Sequence, residues 1–500
     1  MDRRAFLSGL ALAGASCALS ATKAAAQTNE ASLTTAEAFA ARRAREPWLM
    51  GWDNAPAELD RARLTLEGRW PSALRGTFFR NGPAQHQRGN IRYDHWFDGD
   101  GMIHRWGIGD GGVSYKGRFV KTAKRVEEAA AGRFIYPAGG TEIPGSAGVS
   151  SPDGVNVANT SILAVGNKIW ALWEGGSPTR MDFKTLETEG FVALADNLRG
   201  APFSAHPRVG PDGRIWNIGS LGNMMAVYRL KPDGTLDAVK LHQIPAVGLI
   251  HDFILTDKSV VVILPSTTLI SGNTPIFNRV RGVAGQAMRV LIFDRETLAQ
   301  TRAVDLPPGY VFHFGNGWED ATGTIRFDMC QSPDLGHLQK MRDVMRGDLA
   351  ALGQNQTVSK LVTIPRVGDV RTEVIAAATE FPRINPNFNT RANRYVYAAN
   401  LMTPGVSHWH DGLIRMDLRT GRNQRFGFGD GWLAEEHVFV PRPGSTREDD
   451  GWLVGTALNY QRAQTCLNVF RADRLADGPI ARAWLDAAMP LGFHGQFVTG

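Results

Sequence analysis

From about residue 160 onward, short apolar runs alternate with clusters of turn-forming residues, as at 169–173, 259–264 and 394–398. Runs of this length, rich in β-branched and aromatic residues and bounded by Gly, Pro, Asn or Asp, predict strands. A 3.6-residue apolar period is sparse and predicts helices only over residues 35–45, 122–132 and 334–353. A weaker repeat lies among the strands, in which an apolar run enters an aspartate and a turn. It appears around Asp182, Asp233, Asp294, Asp417 and Asp473, spaced 51, 61, 123 and 56 residues apart, the third interval being close to two periods. A multi-strand unit of that length suits a β-propeller blade. Asp-x-x-Thr and Asp-x-x-Gly also end many ordinary hairpins, so the repeat alone leaves both readings open. No Pro-rich or charged linker divides the strands, which makes one large domain the economical organisation.

Composition narrows the class. In 500 residues, 43% are hydrophobic and 21% charged, which excludes a disordered chain and a coiled coil. Gly 55 and Pro 26 suit a turn-rich, all-β molecule. The net charge of +6 is spread without basic runs, so no face is built to displace counterions from nucleic acid. Three cysteines exclude a disulfide scaffold and a cysteine zinc cluster.

The first residues read as an address. Arg3 and Arg4 precede an apolar stretch from Phe6 to about Leu19, and Ala24-Ala25-Ala26 supplies small residues for cleavage. Residues 1–26 are therefore expected to be a twin-arginine-type export signal directing the protein to the periplasm. Residues 27–47 form an N-terminal extension, and 48–500 a single domain that keeps Cys330 and Cys466, whose pairing the sequence leaves open. Export of already folded proteins favours a metal or redox enzyme.

Four histidines lie in apolar, turn-bounded settings: His206, His251, His313 and His494. They are 45, 62 and 181 residues apart, about one, one and three repeat periods. Histidines in step with a radial repeat converge near its axis, where neutral imidazoles without thiolates suit iron, zinc or copper. Spacing alone also admits four core histidines. Metal-bound imidazoles need acceptors for their second N–H, and Glu174, Glu380 and Glu436 stand in apolar strand contexts where an unpaired carboxylate is costly.

With these residues in view, the chain resembles the carotenoid cleavage oxygenases, a family that also holds stilbene-cleaving dioxygenases and retinoid isomerases. The resemblance runs from about Trp48 to Gly500. It is carried by Phe79-Arg80-Asn81-Gly82-Pro83, His95-Trp96-Phe97-Asp98-Gly99-Asp100-Gly101-Met102 and Leu172-Trp173-Glu174-Gly175. Ala205-His206-Pro207, His251-Asp252-Phe253, Phe312-His313, Glu380-Phe381-Pro382-Arg383, Glu436-His437-Val438 and Phe493-His494-Gly495 complete it. It implies a seven-bladed β-propeller with a loop and helical cap over an axial Fe(2+) held by His206, His251, His313 and His494, with Glu174, Glu380 and Glu436 orienting three of the imidazoles. The implied reaction is cleavage of a carbon–carbon double bond with O2 to give two carbonyl products.

The substrate is expected to be a carotenoid or apocarotenoid. A stilbene-type phenylpropene and a non-cleaving isomerisation are the alternatives. Trp173 and Phe312 are candidate tunnel residues. Tyr115 and Lys124 join them as the Tyr/Lys pair expected of a stilbene cleaver, although lysines there also read as ordinary strand-end residues. A lipophilic substrate drawn from a bilayer implies an apolar rim for peripheral membrane contact, for which residues 275–281 and 338–352 are candidates. His95, His104 and Asp98 are read as structural despite their conspicuous motif, as are His86, His242, His337, His408, His410 and His437.

Overall fold

The computed structural model describes residues 33–350 and 357–500. The export signal read in residues 1–26 lies outside the described residues. Seven antiparallel sheets of four or five strands make up the body, a seven-bladed β-propeller. Their leading strands are Gly495–Thr499, Ser161–Val165, Arg208–Val209, Ile254–Leu255, Tyr310–Glu319, Thr379–Arg383 and Trp432–Pro441. Most of these strands neighbour one another around the axis.

Two exchanges of strand between the chain ends close the ring. Gly495–Thr499 pairs with Gly76–Gln85 in the first blade, running from Gly76 opposite Thr499 to Arg80 opposite Gly495. Thr65–Gly68 pairs with Pro479–Trp484 at the outer edge of the seventh. Closure ties both chain ends into the ring, and it sets His494, one residue before the closing strand, beside the axis.

The blades are held by apolar layers between neighbouring sheets. Ser259–Leu264 is buried at every position, its alternate side chains entering the layers on its two faces. Val260 and Val262 pack on Trp216 and Ile218 of the preceding blade, while Val261 and Ile263 pack on Phe327 and Val362 of the next. Each such side chain contributes about 1.5–3 kcal/mol by leaving water.

The aspartate repeat has one structural address. Asp182, Asp233, Asp294, Asp417 and Asp473 all lie between the third and fourth strands of a blade. Asp182 accepts from the backbone N–H of Lys184 and Thr185, Asp294 from Glu296 and Thr297, and Asp417 from Arg419 and Thr420. These local bonds set the turn. The residue four places on adopts positive φ in all three, as Leu186, Leu298 and Gly421. Glycine takes that conformation freely; the two leucines hold it because their side chains are buried. Asp473 differs: it sits in the helical turn Ala472–Asp477, and its carboxylate takes the Arg471 guanidinium.

The predicted helices appear as α1 (Thr35–Arg43), α2 (Ala123–Ala131) and α3 (Gly336–Asp343), the last followed by a 3-10 turn at Val344–Arg346. Thr34 and Glu37 form a capping box on α1. Together with the 3-10 segment Pro47–Trp52, α1 and α3 build a separate apolar cluster of Phe39, Trp52, Trp96, Met341, Trp409 and Phe493. This cluster is the cap, and it covers the axis at the end where His494 lies. Cys330 and Cys466 are buried and unpaired. No helix among the described residues is long and apolar enough to cross a membrane.

Candidate metal centre

Six of the seven leading strands, in or next to them, carry a residue singled out by the sequence. His494, His206 and His251 precede the leading strands of the first, third and fourth blades by one to three residues. His313, Glu380 and Glu436 lie within those of the fifth, sixth and seventh. The second blade contributes Glu174, just past its strand Lys168–Leu172. One residue per blade is how a radial fold assembles a site from positions far apart in sequence.

The four histidines converge, with one ligand atom from each within 4.8 Å of the others. Nε2 of His251 is 2.9 Å from Nε2 of His206 and 3.1 Å from that of His313, which is 3.1 Å from that of His494. Three Nδ1 atoms face carboxylates: His251 meets Glu174, His313 meets Glu380, and His494 donates to Glu436 at 3.0 Å. A carboxylate accepts only, so each of these Nδ1 atoms carries the proton and each neutral ring presents a bare lone pair at Nε2. Lone pairs at such distances are not hydrogen-bonded to each other. They repel unless a cation sits among them, which is how this donor set fits a divalent transition metal.

Burial keeps His206 and His494 neutral, while acidic neighbours draw His251 the other way. Burial holds His494 neutral, pushing it down to about 3 against the pull of Glu436. Burial and the neighbouring imidazoles push His206 well below its ordinary range. At His251 burial also pushes down, but Glu174, with Asp252 and Glu380, outweighs it and raises the group. Burial disfavours the charge on Glu436, yet Arg383, His494 and Arg80 together hold it well below the carboxylate range. At Glu380, His313 and the Phe381 N–H likewise overcome burial and lower the carboxyl.

A cavity of about 520 Å³ opens on the imidazoles and runs beneath the cap. Trp96, Phe97, Trp173, Phe312, Phe381 and Phe493 form its aromatic wall, and Asn159 and Thr160 also line it. Trp173 and Phe312, the tunnel candidates, both line it. Tyr115 and Lys124 do not line the cavity. The Tyr115 hydroxyl is buried against His104 Nδ1 at 2.6 Å, on the strand Gly112–Phe119. Lys124 is on α2, not at a strand end, and its buried ammonium bonds Glu128 at 2.7 Å and the Tyr93 hydroxyl at 2.7 Å. Strand alternation turns Tyr115 between sheets, and α2 turns Lys124 towards its own carboxylates. Of the two rim candidates, 275–281 supplies Phe277 and 338–352 supplies Met341 and Leu349 to the cavity wall.

His95 and Asp98 are structural. His95 Nδ1 accepts from Phe97 N–H, and Asp98 takes the Gly140 N–H and the Thr141 hydroxyl. Sequence reasoning passed over Phe97 and Trp409, placed Phe277 only within a rim segment, and read His337 and His410 as structural. Phe97 and Trp409 arrive on irregular segments, and the period that marks α3 does not say which of its faces meets the cavity.

The family model described as retinal pigment epithelial membrane protein matches residues 52–499. The apocarotenoid-15,15'-oxygenase of Synechocystis sp. is 30% identical over 482 residues, covering 90% of this chain and 96% of that protein. Resveratrol cleavage oxygenase 1 of Aspergillus fumigatus is 27% identical over 493 residues, covering 89% and 93% respectively. The solved structure of a cobalt-substituted Synechocystis apocarotenoid oxygenase superposes with a TM-score of 0.79 at 27% identity, covering 91% of this chain and 99% of that one. Fold, convergent imidazoles and matches spanning nearly the whole described chain agree: the protein belongs to the carotenoid cleavage oxygenase family and is an oxidative-cleavage dioxygenase.

Proposed function

We propose that the protein binds Fe(2+) at His206, His251, His313 and His494 and uses O2 to cleave one double bond of a carotenoid or apocarotenoid, giving two carbonyl products. The observation that carries this reading is the placement of three bare Nε2 lone pairs, with His206 beside them, at one end of an aromatic cavity. The similarity to an apocarotenoid oxygenase over most of the chain favours a polyene substrate.

Bound iron(II) supplies O2 activation, chemistry that no side chain offers. The chain contributes the rest. Glu174, Glu380 and Glu436 hold three Nδ1 protons and so aim three Nε2 lone pairs inward. Trp173 and Phe312 border the approach to the imidazoles and hold a flat conjugated chain by its faces. The cap excludes water and fixes which bond lies over the site. Tyr115 and Lys124 are engaged away from the cavity, so the pair offered for a phenolic ring is not at hand for one.

The test is anaerobic iron loading, then parallel incubation with β-carotene, an apocarotenal and a hydroxystilbene in air, with products identified by mass. Aldehydes from a polyene are expected. Cleavage of the stilbene alone transfers the reading to phenylpropenes; an isomerised but intact polyene transfers it to isomerisation; iron below roughly one tenth equivalent removes the enzyme reading. Export to the periplasm is part of the proposal, tested by fusing residues 1–35 to a folded reporter in cells with and without the twin-arginine translocase.

A further inference from the structure

Two histidines that are not part of the imidazole cluster line the same cavity. His337 projects from α3 and His410 follows Trp409 in the sixth blade. Both ring nitrogens of His337 and Nδ1 of His410 are buried and bonded to no protein group, as is the Tyr310 hydroxyl beside His337. Orphaned nitrogens alone would not single them out, since His86 is equally unpartnered. His86 is fully buried and does not line this cavity, whereas His337 and His410 border its open volume, so whatever partners them occupies the cavity.

Their position relative to the metal ligands is regular. The His337 ring meets the Phe312 ring at 4.4 Å, and Phe312 meets the His251 ring at 4.8 Å. The His410 ring meets Phe381 at 6.2 Å, and Phe381 meets the His313 and His494 rings at 5.2 and 5.4 Å. Each histidine is therefore one aromatic ring removed from the cluster. The side chain of Lys340, one turn after His337 on α3, lines the same wall. Ser332 and Asp334, just before α3, line the cavity as well.

We propose that His337 and His410 form a polar subsite that hydrogen-bonds an oxygen atom, carbonyl or hydroxyl, at one end of the substrate, making them specificity-determining residues. Burial pushes His337 down to about 3 and His410 to about 4, so both are neutral rings, each with one N–H to give and one lone pair to receive. That pairing suits a carbonyl or a hydroxyl. A pure hydrocarbon would leave those nitrogens unpartnered, which is how a site built for hydrogen bonds discriminates. The subsite favours an oxygen-bearing apocarotenoid over a carotene and fixes how far the polyene reaches past the imidazoles.

The inference rests on the cleavage reading, so its test includes a readout that does not need turnover. Quenching of the cavity tryptophans Trp96, Trp173 and Trp409 reports binding of an apocarotenal, its alcohol and a polyene hydrocarbon of equal length. Each is titrated into iron-loaded wild type, His337→Leu, His410→Leu and the hydrogen-bonding variants His337→Gln and His410→Gln. Where cleavage is observed, KM and kcat are compared for the same set. The preference for oxygenated over hydrocarbon ligand should fall roughly tenfold or more in the leucine variants, and in KM more than in kcat. It should be restored in part by glutamine, with iron content unchanged throughout. An unchanged preference, or an equal loss for the hydrocarbon, overturns the subsite. Absence of cleavage with the binding preference intact overturns the reaction reading and leaves the subsite standing.

Discussion

Glu436→Gln is the sharpest single perturbation of the proposed centre, because Glu436 carries more than an imidazole. Its carboxylate is 1% exposed and accepts from His494 Nδ1 at 3.0 Å, Gly495 N–H at 2.7 Å and Arg383 Nε at 2.8 Å. Arg80 Nη1 approaches to 3.8 Å and is itself buried. Glutamine keeps the shape but loses the charge, and its amide N–H₂ must face at least one existing donor. Breaking a buried ion pair by removing one partner costs about 3–5 kcal/mol. Arg383 is one-third exposed, and Arg80 keeps the Phe493 and Glu436 carbonyls and the Thr456 hydroxyl, so the lower end applies, about 3 kcal/mol. Loss of the acceptor behind one metal-binding imidazole should weaken metal affinity by about 10–100-fold. Glu174→Gln is the comparison. Glu174 is partly exposed and is engaged with His251, so affinity should drop by a similar factor while stability changes by less than about 1 kcal/mol. Anaerobic Fe(2+) titration of the apoprotein by calorimetry gives the first quantity, and urea unfolding of the apoprotein gives the second. Wild-type iron affinity in Glu436→Gln would refute the role of that carboxylate. Equal stability losses in both variants would refute the distinction drawn between them.

Other outcomes test the remaining elements. His494→Ala should lose stoichiometric iron and O2 consumption while keeping the far-ultraviolet spectrum of a β-protein; stoichiometric iron in that variant would exclude His494 as a ligand. Gly82→Ala places a Cβ 2.3 Å from the backbone Cα of Gly492, so it must displace the segment that leads into His494. It should cost about 1–3 kcal/mol and lower iron occupancy, measured by unfolding and metal analysis. Phe312→Ala removes the ring between His251 and His337, and kcat/KM should fall by roughly tenfold to a hundredfold as the polyene loses its register, with a second pair of aldehydes in the mass spectrum. Chelation of iron should lower the thermal midpoint, since a ligand at about a hundred times its Kd adds about 2.7 kcal/mol to the folded state; a midpoint insensitive to iron concentration would count against a bound metal.

Much of the architecture is local chemistry and was legible in the chain. Strands follow from runs such as 259–264, predicted and observed with the same bounds. The hairpins at Asp182, Asp294 and Asp417 follow from a side chain bonding its own turn, an interaction that spans only a few residues. The four histidines were marked by apolar settings and by the repeat period between them, and the three glutamates because a carboxylate in an apolar run needs a partner.

What required the tertiary structure is direction. Whether Lys124 faces the cavity or Glu128 depends on the rotation of α2 against the first blade, and no local pattern encodes that angle. Tyr115 alternates on its strand, yet which face meets the axis is settled only by the pairing with Asp100–Gly109. His337 and His410 read as ordinary core histidines because their flanking residues are unremarkable. The two histidines are 73 residues apart, and they line one cavity only because α3 in the cap packs over a loop of the sixth blade. Propensity and patterning act over a few residues, whereas a cavity is the volume left when distant elements pack, so the sequence by itself determined the blades and marked the histidines and glutamates that converge, and packing decided what surrounds them.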